Sequence, residues 1–413
     1  MHRSLLLLTL TAILALTAAP AHADPAYVPG EVIVKYEDGS QSTAVEVAED
    51  STVREAIGEL RDDPDVAYAV PNYIARASAY TPNDPGFPLQ WNFATSVAGI
   101  NMPEAWGIAR QRGRAGGRGA IIAVLDTGVA YQRFGRFRRV PDLNRFVPGY
   151  DFVAGDGHPN DQNGHGTHVS GTIAQSTGNR VGTAGIAYRA RIMPVRVLDQ
   201  DGAGDTLSIS RGIRFAARHG ADVINLSLEF DSAVRAAQIP DVVSALRYAR
   251  KKGAVVVAAA GNHGDPQVAY PARARSVIAV AATTNRGCQA EYSNSGSDVD
   301  IAAPGGGADA ANTDTPYDVA ACRPTFGGKF IYQQTTTTSI SRFGLPPGYE
   351  GTSMAAPHVS GVAALVIASR RLGRNPSPTA VERRLENTAR DIGLPGWDPR
   401  YGWGLLDAAA ALR

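Results

Sequence analysis

Hydrophobic residues recur along most of the chain as short continuous runs, with amphipathic stretches between them. Residues 120–125 are apolar throughout, as expected for a strand covered on both faces. Similar runs occupy residues 192–197, 223–228, 255–260 and 277–281, and helical patterns occupy 207–219 and 241–252. This alternation predicts an α/β fold: a doubly wound, mostly parallel sheet with helices on both faces. Sites in such folds lie at the carboxyl ends of the strands.

A different pattern precedes the predicted sheet. Residues 31–36 and 66–70 are predicted strands, and residues 51–62 a helix capped by Ser51. These elements predict a small α+β unit over residues 24–80, which ends in a linker of small and turn-forming residues. Residues 81–413 are assigned to the larger domain. Within it, residues 304–351 are rich in Gly, Thr and Asp and predict a long surface excursion.

The first 23 residues have the pattern of a secretory signal peptide. A basic start is followed by an apolar block at residues 5–16 and by Ala21-His22-Ala23, a small-x-small cleavage site. The block is too short to span a bilayer, and no later segment approaches 18 uninterrupted apolar residues. We therefore expect a secreted, extracellular, soluble protein without a membrane anchor.

Charge and cysteine content narrow the function further. The chain has 40 basic and 39 acidic residues, a net charge of +1, so nucleic-acid binding has no electrostatic support. Cys288 and Cys322 are the two cysteines, and in an oxidising compartment such a pair favours a disulfide. Closing that loop would stabilise the fold by on the order of 3–4 kcal/mol. Catalysis by a cysteine or a zinc–thiolate site is not expected.

Four polar residues stand where chemistry is expected. Ser353 follows Gly-Thr and precedes an apolar helical run at 362–368, so the start of a buried helix can face a developing anion. Asp126 directly follows the first strand of the sheet, and is either a turn residue or a carboxylate that orients a histidine. Asn262 follows another strand by one glycine, and is either a turn residue or an amide donor to an oxyanion.

His165 lies between two glycines, so a substrate or the backbone can approach its ring closely. His168 is three residues further on, and two histidines at this spacing could bind a metal on one helical face. The segment lacks the glutamate of a His-Glu-x-x-His motif and an obvious third nitrogen ligand. A metal-dependent hydrolase that uses this pair is kept as an alternative.

The order Asp126, His165, Asn262, Ser353, in these local contexts, resembles the subtilisin-like serine proteases, or subtilases, and their secreted thermitase-like members most closely. The resemblance extends over about residues 81–411. The order acid, base, nucleophile differs from that of the α/β-hydrolases, whose Gly-x-Ser-x-Gly elbow is also missing around Ser353.

The resemblance implies a secreted serine endopeptidase that forms an acyl-enzyme intermediate. Ser353 would attack the scissile carbonyl, His165 would transfer its proton, and Asp126 would orient His165. Asn262 and the backbone N–H of Ser353 would stabilise the oxyanion. A catalytically inactive binding protein on the same fold is the second alternative, and would be favoured by a missing catalytic residue; none is missing.

The resemblance also implies the substrate-binding residues. Two segments would pair with an extended peptide as flanking strands: Gly202, Ala203, Gly204 and Ser227, Leu228, Glu229. The primary specificity pocket would be lined by small uncharged residues, which implies broad specificity with an apolar preference: Ala259, Ala260, Gly261 and Ala269. Glu229 departs from the glycine usual in the family, and adds an acidic rim that favours basic residues nearby.

Structural calcium is implied in the same way. The positions that match one calcium site are Asp84, Asp142, Ser176, Asn179, Val181 and Thr183. Oxygen ligands from separate segments suit Ca²⁺, and an ion bound only to the folded state stabilises it. A second site is suggested by Asp151, Asp156 and Asn160, although Ala154 replaces one acid that the analogy expects.

The small N-terminal unit resembles the inhibitory propeptide of the family, although it is short for that role. We expect it to act as an intramolecular inhibitor, with maturation between Ala77 and Thr81. The mature enzyme is expected to be a monomer that acts on protein or peptide substrates.

Overall fold

The computed structural model describes residues 27–48, 51–73, 79–310, 322 and 327–413. The chain divides into two compact units, Met1–Arg76 and Ala77–Arg413. The signal peptide predicted for residues 1–23 lies outside the described residues, as do residues 77 and 78 of the predicted maturation segment. Each unit has its own hydrophobic core.

The first unit is a three-stranded antiparallel sheet packed against one helix. β1 (Tyr27–Tyr36) lies between β2 (Thr43–Glu46) and β3 (Val66–Tyr73), and α1 is Val53–Arg61. The predicted cap was wrong by one residue, because Thr52 forms a capping box with Glu55 that satisfies two backbone N–H groups. β3 continues through Pro71, which is tolerated because β3 is an edge strand.

The second unit alternates strands and helices. Its helices are α2 (Met102–Gln111), α3 (His165–Ala174), α4 (Thr206–Arg218), α5 (Pro240–Lys251), α6 (Thr352–Ser369), α7 (Pro378–Glu386) and α8 (Ala408–Leu412). Its strands are β4 (Ile121–Asp126), β5 (Tyr150–Asp151), β6 (Arg191–Arg196), β7 (Val223–Leu226), β8 (Val255–Ala259), β9 (Ile278–Thr283), β10 (Ile301–Pro304), β11 (Thr335–Thr336) and β12 (Phe343–Gly344). Single 3₁₀ turns occur at Phe87–Leu89, Trp91–Phe93, Ala115–Gly117 and Ala236–Gln238.

Seven of these strands form one sheet in the order β10-β9-β8-β7-β4-β6-β5. Every neighbouring pair in it is parallel. The predicted doubly wound α/β fold is therefore confirmed. This fold also brings predicted site residues to one edge of the sheet. Asp126 ends β4, and Ser227 and Asn262 come just after β7 and β8 at the same edge.

Alternate side chains of each strand enter different cores, which explains the continuously apolar runs. In β4, Ile122 and Val124 join the core that contains α3 and α6, whereas Ala123 and Leu125 join the core that contains α4 and α5. The strand therefore has no face left for polar residues until its end. Asp126 is the first polar side chain of β4, at the point where the strand leaves the sheet.

α6 is the central helix of the core that also contains α3, in the second unit. It is 18 residues long, with a mean hydropathy of 1.3 over a window that is 83% buried. By length and composition alone such a helix could cross a membrane, but the buried core helix of a soluble protein meets the same criteria. Only its first turn reaches the cleft, where Ser353 is partly exposed.

The predicted surface excursion is wrong for residues 331–336. Ile331, Gln333 and Thr335 are fully buried, in the alternating pattern of a strand. Gln333 is satisfied by Thr183 Oγ1, which donates to its Oε1 at 2.7 Å, so a polar stretch can enter the core without orphaned groups. The predicted disulfide is present: Cys288 and Cys322 are bonded, with their Cα atoms 5.9 Å apart.

Candidate active site

The Asp126 carboxylate and the His165 imidazole form a direct pair. Asp126 Oδ1 lies 2.7 Å from His165 Nδ1 and also accepts a hydrogen bond from the Thr127 N–H at 2.7 Å. Burial of the ring lowers the pKa of His165, but the Asp126 charge and hydrogen bond more than offset this, so the pKa is raised above its usual value. A carboxylate on Nδ1 leaves Nε2 as the nitrogen that can accept a proton from a nucleophile.

A glycine permits this approach. His165 is the first residue of α3, and Gly166 lies against the end of β4. A Cβ at position 166 would stand 2.1 Å from the carbonyl oxygen of Gly128 and 3.0 Å from Asp126 Oδ1. Any larger residue would push α3 away from the strand and separate the carboxylate from the ring.

Asp161 ties the segment of Asp126 to that of His165, and was not identified in the sequence. Its Oδ1 accepts hydrogen bonds from the Thr127 hydroxyl at 2.9 Å and from the N–H of Gly164 at 2.8 Å. Its Oδ2 accepts both the N–H and the hydroxyl of Thr167, at 2.9 and 2.6 Å. Burial raises the pKa of Asp161, while these donors oppose the rise. A run of Asp-Gln-Asn-Gly is typical of a surface turn, which hides this role.

Ser353 lies at the start of α6, as predicted, and reaches the same cleft as His165. Its hydroxyl donates to the carbonyl oxygen of Ser227 at 3.2 Å, and the Ser227 hydroxyl donates to the Ser353 carbonyl at 2.8 Å. The structure shows no hydrogen bond between Ser353 and His165, both of which are among the described residues. Rotation about the Cα–Cβ bond of Ser353 redirects the hydroxyl without moving the helix, and catalytic hydrogen bonds are often unmade in free enzymes.

The orientation of the Asn262 amide is set by Thr352. Both the N–H and the hydroxyl of Thr352 donate to Asn262 Oδ1, at 2.7 and 2.9 Å. The Nδ2 group therefore points the other way, where it donates to Glu229 Oε1 at 3.2 Å. The donor expected for an oxyanion is thus held by a neighbouring carboxylate.

One cleft of about 440 Å³ brings most of the predicted site together. It is lined by Thr127, Asn163, His165, Leu198, Gly202, Ala203, Gly204, Ile209, Ser227, Leu228, Glu229, Phe230, Asn262 and Ser353. Residues 202–204 are exposed, so their backbone is free to pair with a peptide. Ala259, Ala260, Gly261 and Ala269 are buried and do not line the cleft.

Glu229 lines the cleft and lies beside Gly261, one of those small residues. A Cβ on Gly261 would stand 2.7 Å from Glu229 Oε2, so the carboxylate lies directly against the glycine. Oε2 also accepts the backbone N–H of Asn262 at 2.8 Å. The side chain of Glu229 therefore contacts both Gly261 and Asn262, in the segment that follows β8.

The positions predicted for the first calcium site lie close together. Asp84 and Asp142 are buried, and the Asp84 carboxylate accepts the N–H groups of Gly178 and Asn179 at 2.7 and 3.2 Å. Asn179 Nδ2 donates to Asp142 Oδ1 at 2.6 Å. Burial raises the pKa of Asp142 to about 6, hydrogen bonds from Asn179 and Gln175 lower it, and the Asp84 charge adds to the rise.

The remaining predicted ligands of this site belong to the same loop. The Ser176 N–H donates to the carbonyl oxygen of Asp142 at 2.9 Å, and the Val181 N–H donates to Asn179 Oδ1 at 3.0 Å. Thr183 follows two residues later, with its hydroxyl on Gln333. The side-chain oxygen Gln175 Oε1 is buried here without a hydrogen-bond partner. Two buried carboxylates and an orphaned oxygen, served only by neutral donors, fit a hard cation.

Asp151, one of the three residues suggested for a second calcium site, is already neutralised by another group. Asp151 Oδ2 lies 3.0 Å from Arg196 Nη1 in a buried ion pair. Asp151 Oδ1 accepts the N–H groups of Val153 and Ala154, each at 2.8 Å. Arg196 supplies the positive charge that an ion would supply, which removes the reason to place calcium there.

The two histidines of the metal hypothesis have separate roles. The His168 ring is buried, stacks on Tyr349 at 4.1 Å between centroids, and places Nε2 3.0 Å from the carbonyl oxygen of Ile331. Burial lowers its pKa to about 3, so it is neutral at all ordinary pH values. Within the described residues, the clusters of acids, cysteines and histidines that could share a metal are Cys288/Asp309/Cys322 and Asp300/Glu382/Glu386. Neither includes His165 or His168, so the geometry gives the metal hypothesis no support.

Comparisons with known proteins agree with this geometry. The model of the subtilase family matches residues 117–404. A thermophilic serine proteinase of Bacillus sp. (strain AK1) is 35% identical over 405 residues, which cover 92% of this chain and 87% of the relative. Thermitase of Thermoactinomyces vulgaris is 38% identical over 318 residues, or 77% of this chain and 94% of thermitase. The solved structure of a protease from Pseudoalteromonas arctica PAMC 21717 has a TM-score of 0.65 at 33% identity, covering 80% of this chain and 98% of that one.

Sequence, fold and site thus lead to one family. More than a third of the positions are identical to each of two curated serine proteinases, over most of this chain. The family match begins just before β4, which carries Asp126, and ends beyond α6, which carries Ser353. The chain therefore belongs to the subtilase family, and is a serine-type endopeptidase of its thermitase-like kind.

Proposed function

We propose that this chain hydrolyses peptide bonds in proteins and peptides through a triad of Asp126, His165 and Ser353. The observation that carries the proposal is the 2.7 Å pair of Asp126 Oδ1 and His165 Nδ1 in the cleft that Ser353 enters. Asp126 fixes the tautomer of the ring and stabilises the imidazolium that forms during the reaction.

The reaction has two halves. Ser353 Oγ attacks the scissile carbonyl carbon while its proton passes to His165 Nε2, and the proton then passes to the leaving amine as the C–N bond breaks. Water attacks the resulting acyl-enzyme with the same histidine as base, which releases the acid product and restores Ser353. The Ser353 hydroxyl must first leave the carbonyl oxygen of Ser227.

The oxyanion of each tetrahedral intermediate is stabilised by two donors. One is the backbone N–H of Ser353, at the positive end of α6. The other is Asn262 Nδ2, once it is released from Glu229. Donors fixed in a cleft that excludes water stabilise the transition state more than the substrate.

Substrates bind in an extended conformation between two segments of the cleft. Residues 202–204 and 227–229 would flank the peptide and hydrogen-bond its backbone, which is independent of sequence and supports broad specificity. Ala259, Ala260 and Ala269, together with Gly261, are buried behind the cleft, and would line an inner primary pocket with apolar surface once the cleft opens toward them.

The enzyme is made as a precursor and exported. Residues 1–23 would be the signal peptide, 24–80 an inhibitory propeptide and 81–413 the mature, monomeric, extracellular enzyme. The export-type pattern of the first 23 residues and the separate core of the first unit support this division. The first compact unit ends at Arg76, within the predicted linker.

Structural calcium would stabilise the mature enzyme. Asp84, Asp142 and Asn179 would hold it with side-chain oxygens, together with carbonyl groups of Ser176, Val181 and Thr183. The ion would neutralise two buried carboxylates and tie the start of the larger unit to the loop after α3. We do not extend the proposal to Asp151, Asp156 and Asn160, because Arg196 already occupies that carboxylate.

The proposal is tested with casein digestion and labelling by a serine-directed organofluoride. The wild type is expected to digest casein and to lose activity in proportion to labelling at Ser353. Ser353→Ala should lose about 10⁶-fold in kcat and remain unlabelled, whereas Ser339→Ala, at an exposed serine, should match the wild type.

Two outcomes would favour the alternatives. A folded wild type that binds casein without cleaving it and takes up no label would indicate an inactive binding protein. Activity that survives Ser353→Ala but is lost when zinc is chelated would indicate a metal-dependent hydrolase.

A further inference from the structure

Glu229 is placed to control the primary substrate slot, an inference that rests on the proposed function and deepens it. Its carboxylate accepts both N–H groups of Asn262: the backbone N–H at 2.8 Å on Oε2 and the side-chain Nδ2 at 3.2 Å on Oε1. It also lies against Gly261, one of the residues proposed to line the primary specificity pocket. The same carboxylate thus contacts both the oxyanion donor and the specificity pocket.

The carboxylate has no strong cationic partner among the residues that the structure describes. The nearest basic group is His263 Nδ1, at 3.9 Å from Oε1, on a side chain that is 55% exposed. Burial raises the pKa of Glu229, the two hydrogen bonds from Asn262 and the His263 charge lower it, and Asp265 raises it again. A half-buried carboxylate served by neutral donors attracts a cation.

The resting arrangement opposes catalysis. One N–H of Asn262 Nδ2 donates to Glu229, which leaves the other for an oxyanion, and the Glu229 charge would repel the negative oxygen that develops beside it. Thr352 holds the other end of the amide by two hydrogen bonds, so Nδ2 cannot escape by flipping. The movable partner is therefore the Glu229 side chain.

We propose that Glu229 couples the oxyanion donor Asn262 to the charge of the substrate side chain in the primary slot. The cationic tip of an arginine or lysine pairs with the carboxylate and draws it away from Nδ2, whose two N–H groups are then both available to the oxyanion. The apolar stem of the same side chain packs along the alanine walls. Glu229 is thus a specificity and positioning residue, and the substrate class it favours is peptides cleaved after a basic residue.

Arginine and citrulline give a matched test, because they differ in charge but hardly in shape. Two otherwise identical chromogenic peptides carry one or the other at the position before the scissile bond. The wild type should cleave the arginine peptide about tenfold faster in kcat, the scale of one partly exposed charge-assisted contact. The faster cleavage of the arginine peptide should appear in kcat and not in KM. The reason is that the released Asn262 amide stabilises the transition state and does not bind the substrate.

Three variants separate the roles of Glu229, with kcat referred to active sites counted by organofluoride titration. Glu229→Gly removes the competing acceptor: the citrulline peptide should be cleaved several-fold faster and the arginine preference should vanish. Glu229→Gln keeps the shape without the charge and should also lose the preference. Asp265→Asn removes a nearby negative charge that does not contact Asn262, and should keep the preference of the wild type.

Several results would overturn the proposal. One is an arginine-to-citrulline ratio that is the same in the wild type, Glu229→Gln and Glu229→Gly. Another is a ratio that changes through KM alone, with citrulline kcat unaffected in Glu229→Gly, since Glu229 would then be a charge at the rim without control of Asn262. Failure of the proposed function looks different: the wild type would cleave neither peptide and would take up no label.

Discussion

The hydroxyl of Thr127 donates to the Asp161 carboxylate at 2.9 Å, and accepts the N–H of Gly166 at 3.0 Å. Thr127 follows Asp126, and Gly166 follows His165, so this one hydroxyl joins the neighbours of both members of the catalytic pair. Asp161 in turn binds the first turn of α3 through Thr167. The distance between Asp126 and His165 is therefore set by a buried network centred on Asp161, which does not line the cleft.

Asp161→Asn tests that network. An asparagine can accept on one atom only, so the donors on the other lose their partner, and we expect stability to fall by about 1.5–3 kcal/mol. kcat should fall while KM changes little, because Asp161 positions the histidine and touches no substrate. The matched control is Asp156→Asn, at an exposed acid outside the network. Unchanged kcat in a folded Asp161→Asn protein would contradict the positioning role.

The pH dependence of activity tests the charge of the catalytic pair. His165 must be neutral to accept a proton, and its pKa is raised by Asp126 against the opposing effect of burial. Activity should therefore be lost as the pH falls through a value above 6.5, the usual pKa of histidine. Asp126→Asn removes the effect that raises the pKa and leaves burial, which lowers it, so the acidic limb should move to lower pH. Its kcat should fall about 10⁴-fold. An acidic limb that stays in place would contradict the assignment.

Asn262→Ala tests the oxyanion donor. We expect kcat to fall about 10²–10³-fold with little change in KM, since the lost hydrogen bond is made only in the transition state. The substitution also frees Glu229, so the arginine preference in kcat should disappear together with the activity. A change in KM alone would show that Asn262 binds substrate and does not stabilise the oxyanion.

Calcium removal tests the pair of buried carboxylates. At free calcium about 100 times Kd, the bound ion adds about 2.7 kcal/mol, so chelation should lower Tm by about 4 °C in a unit of this size. Asp142→Asn should abolish the calcium response, because one charge and one ligand oxygen are lost. Asp156→Asn should retain it, since Arg196 already neutralises the neighbouring Asp151. Equal Tm values with calcium and with chelator in the wild type would contradict the site.

The disulfide closes a loop of 34 residues between Cys288 and Cys322. In the chain-entropy model, replacing both cysteines by serine should lower the free energy of unfolding by about 4 kcal/mol. kcat should change little, because neither cysteine lines the cleft. The two quantities are measured by denaturant unfolding and by peptide hydrolysis, and a loss confined to kcat would contradict a purely stabilising role.

The sequence predicted the structural features that depend on a local pattern of residues. Continuous apolar runs located the strands because both faces of the sheet are covered, and strand ends then located Asp126 and Asn262. Residues 331–336 were missed because their burial depends on distant partners such as Thr183, which no local periodicity records. The helix of the first unit was placed correctly, but its cap depended on which residue stands three positions before Glu55.

The contacts that decide the behaviour of the site are also distant in sequence. Glu229 and Asn262 are separated by 33 positions, and Thr127 and Asp161 by 34. Each of these side chains has an ordinary role at a turn or strand end, so composition and spacing gave no signal for their pairing. Glu229 could be noticed from the sequence because the family usually has a glycine at that position. Its hydrogen bonds to Asn262 could be found only from the structure.

The position of Ser353 on α6 determines at which stage of folding the enzyme becomes active. Ser353, the proposed nucleophile, belongs to the first turn of a buried core helix, so a chain that has not yet assembled this core has no aligned serine. Proteolytic activity is therefore expected to appear only when the core of the larger unit has folded. An unfolded or incompletely folded molecule is therefore inactive and does not cleave other proteins around it.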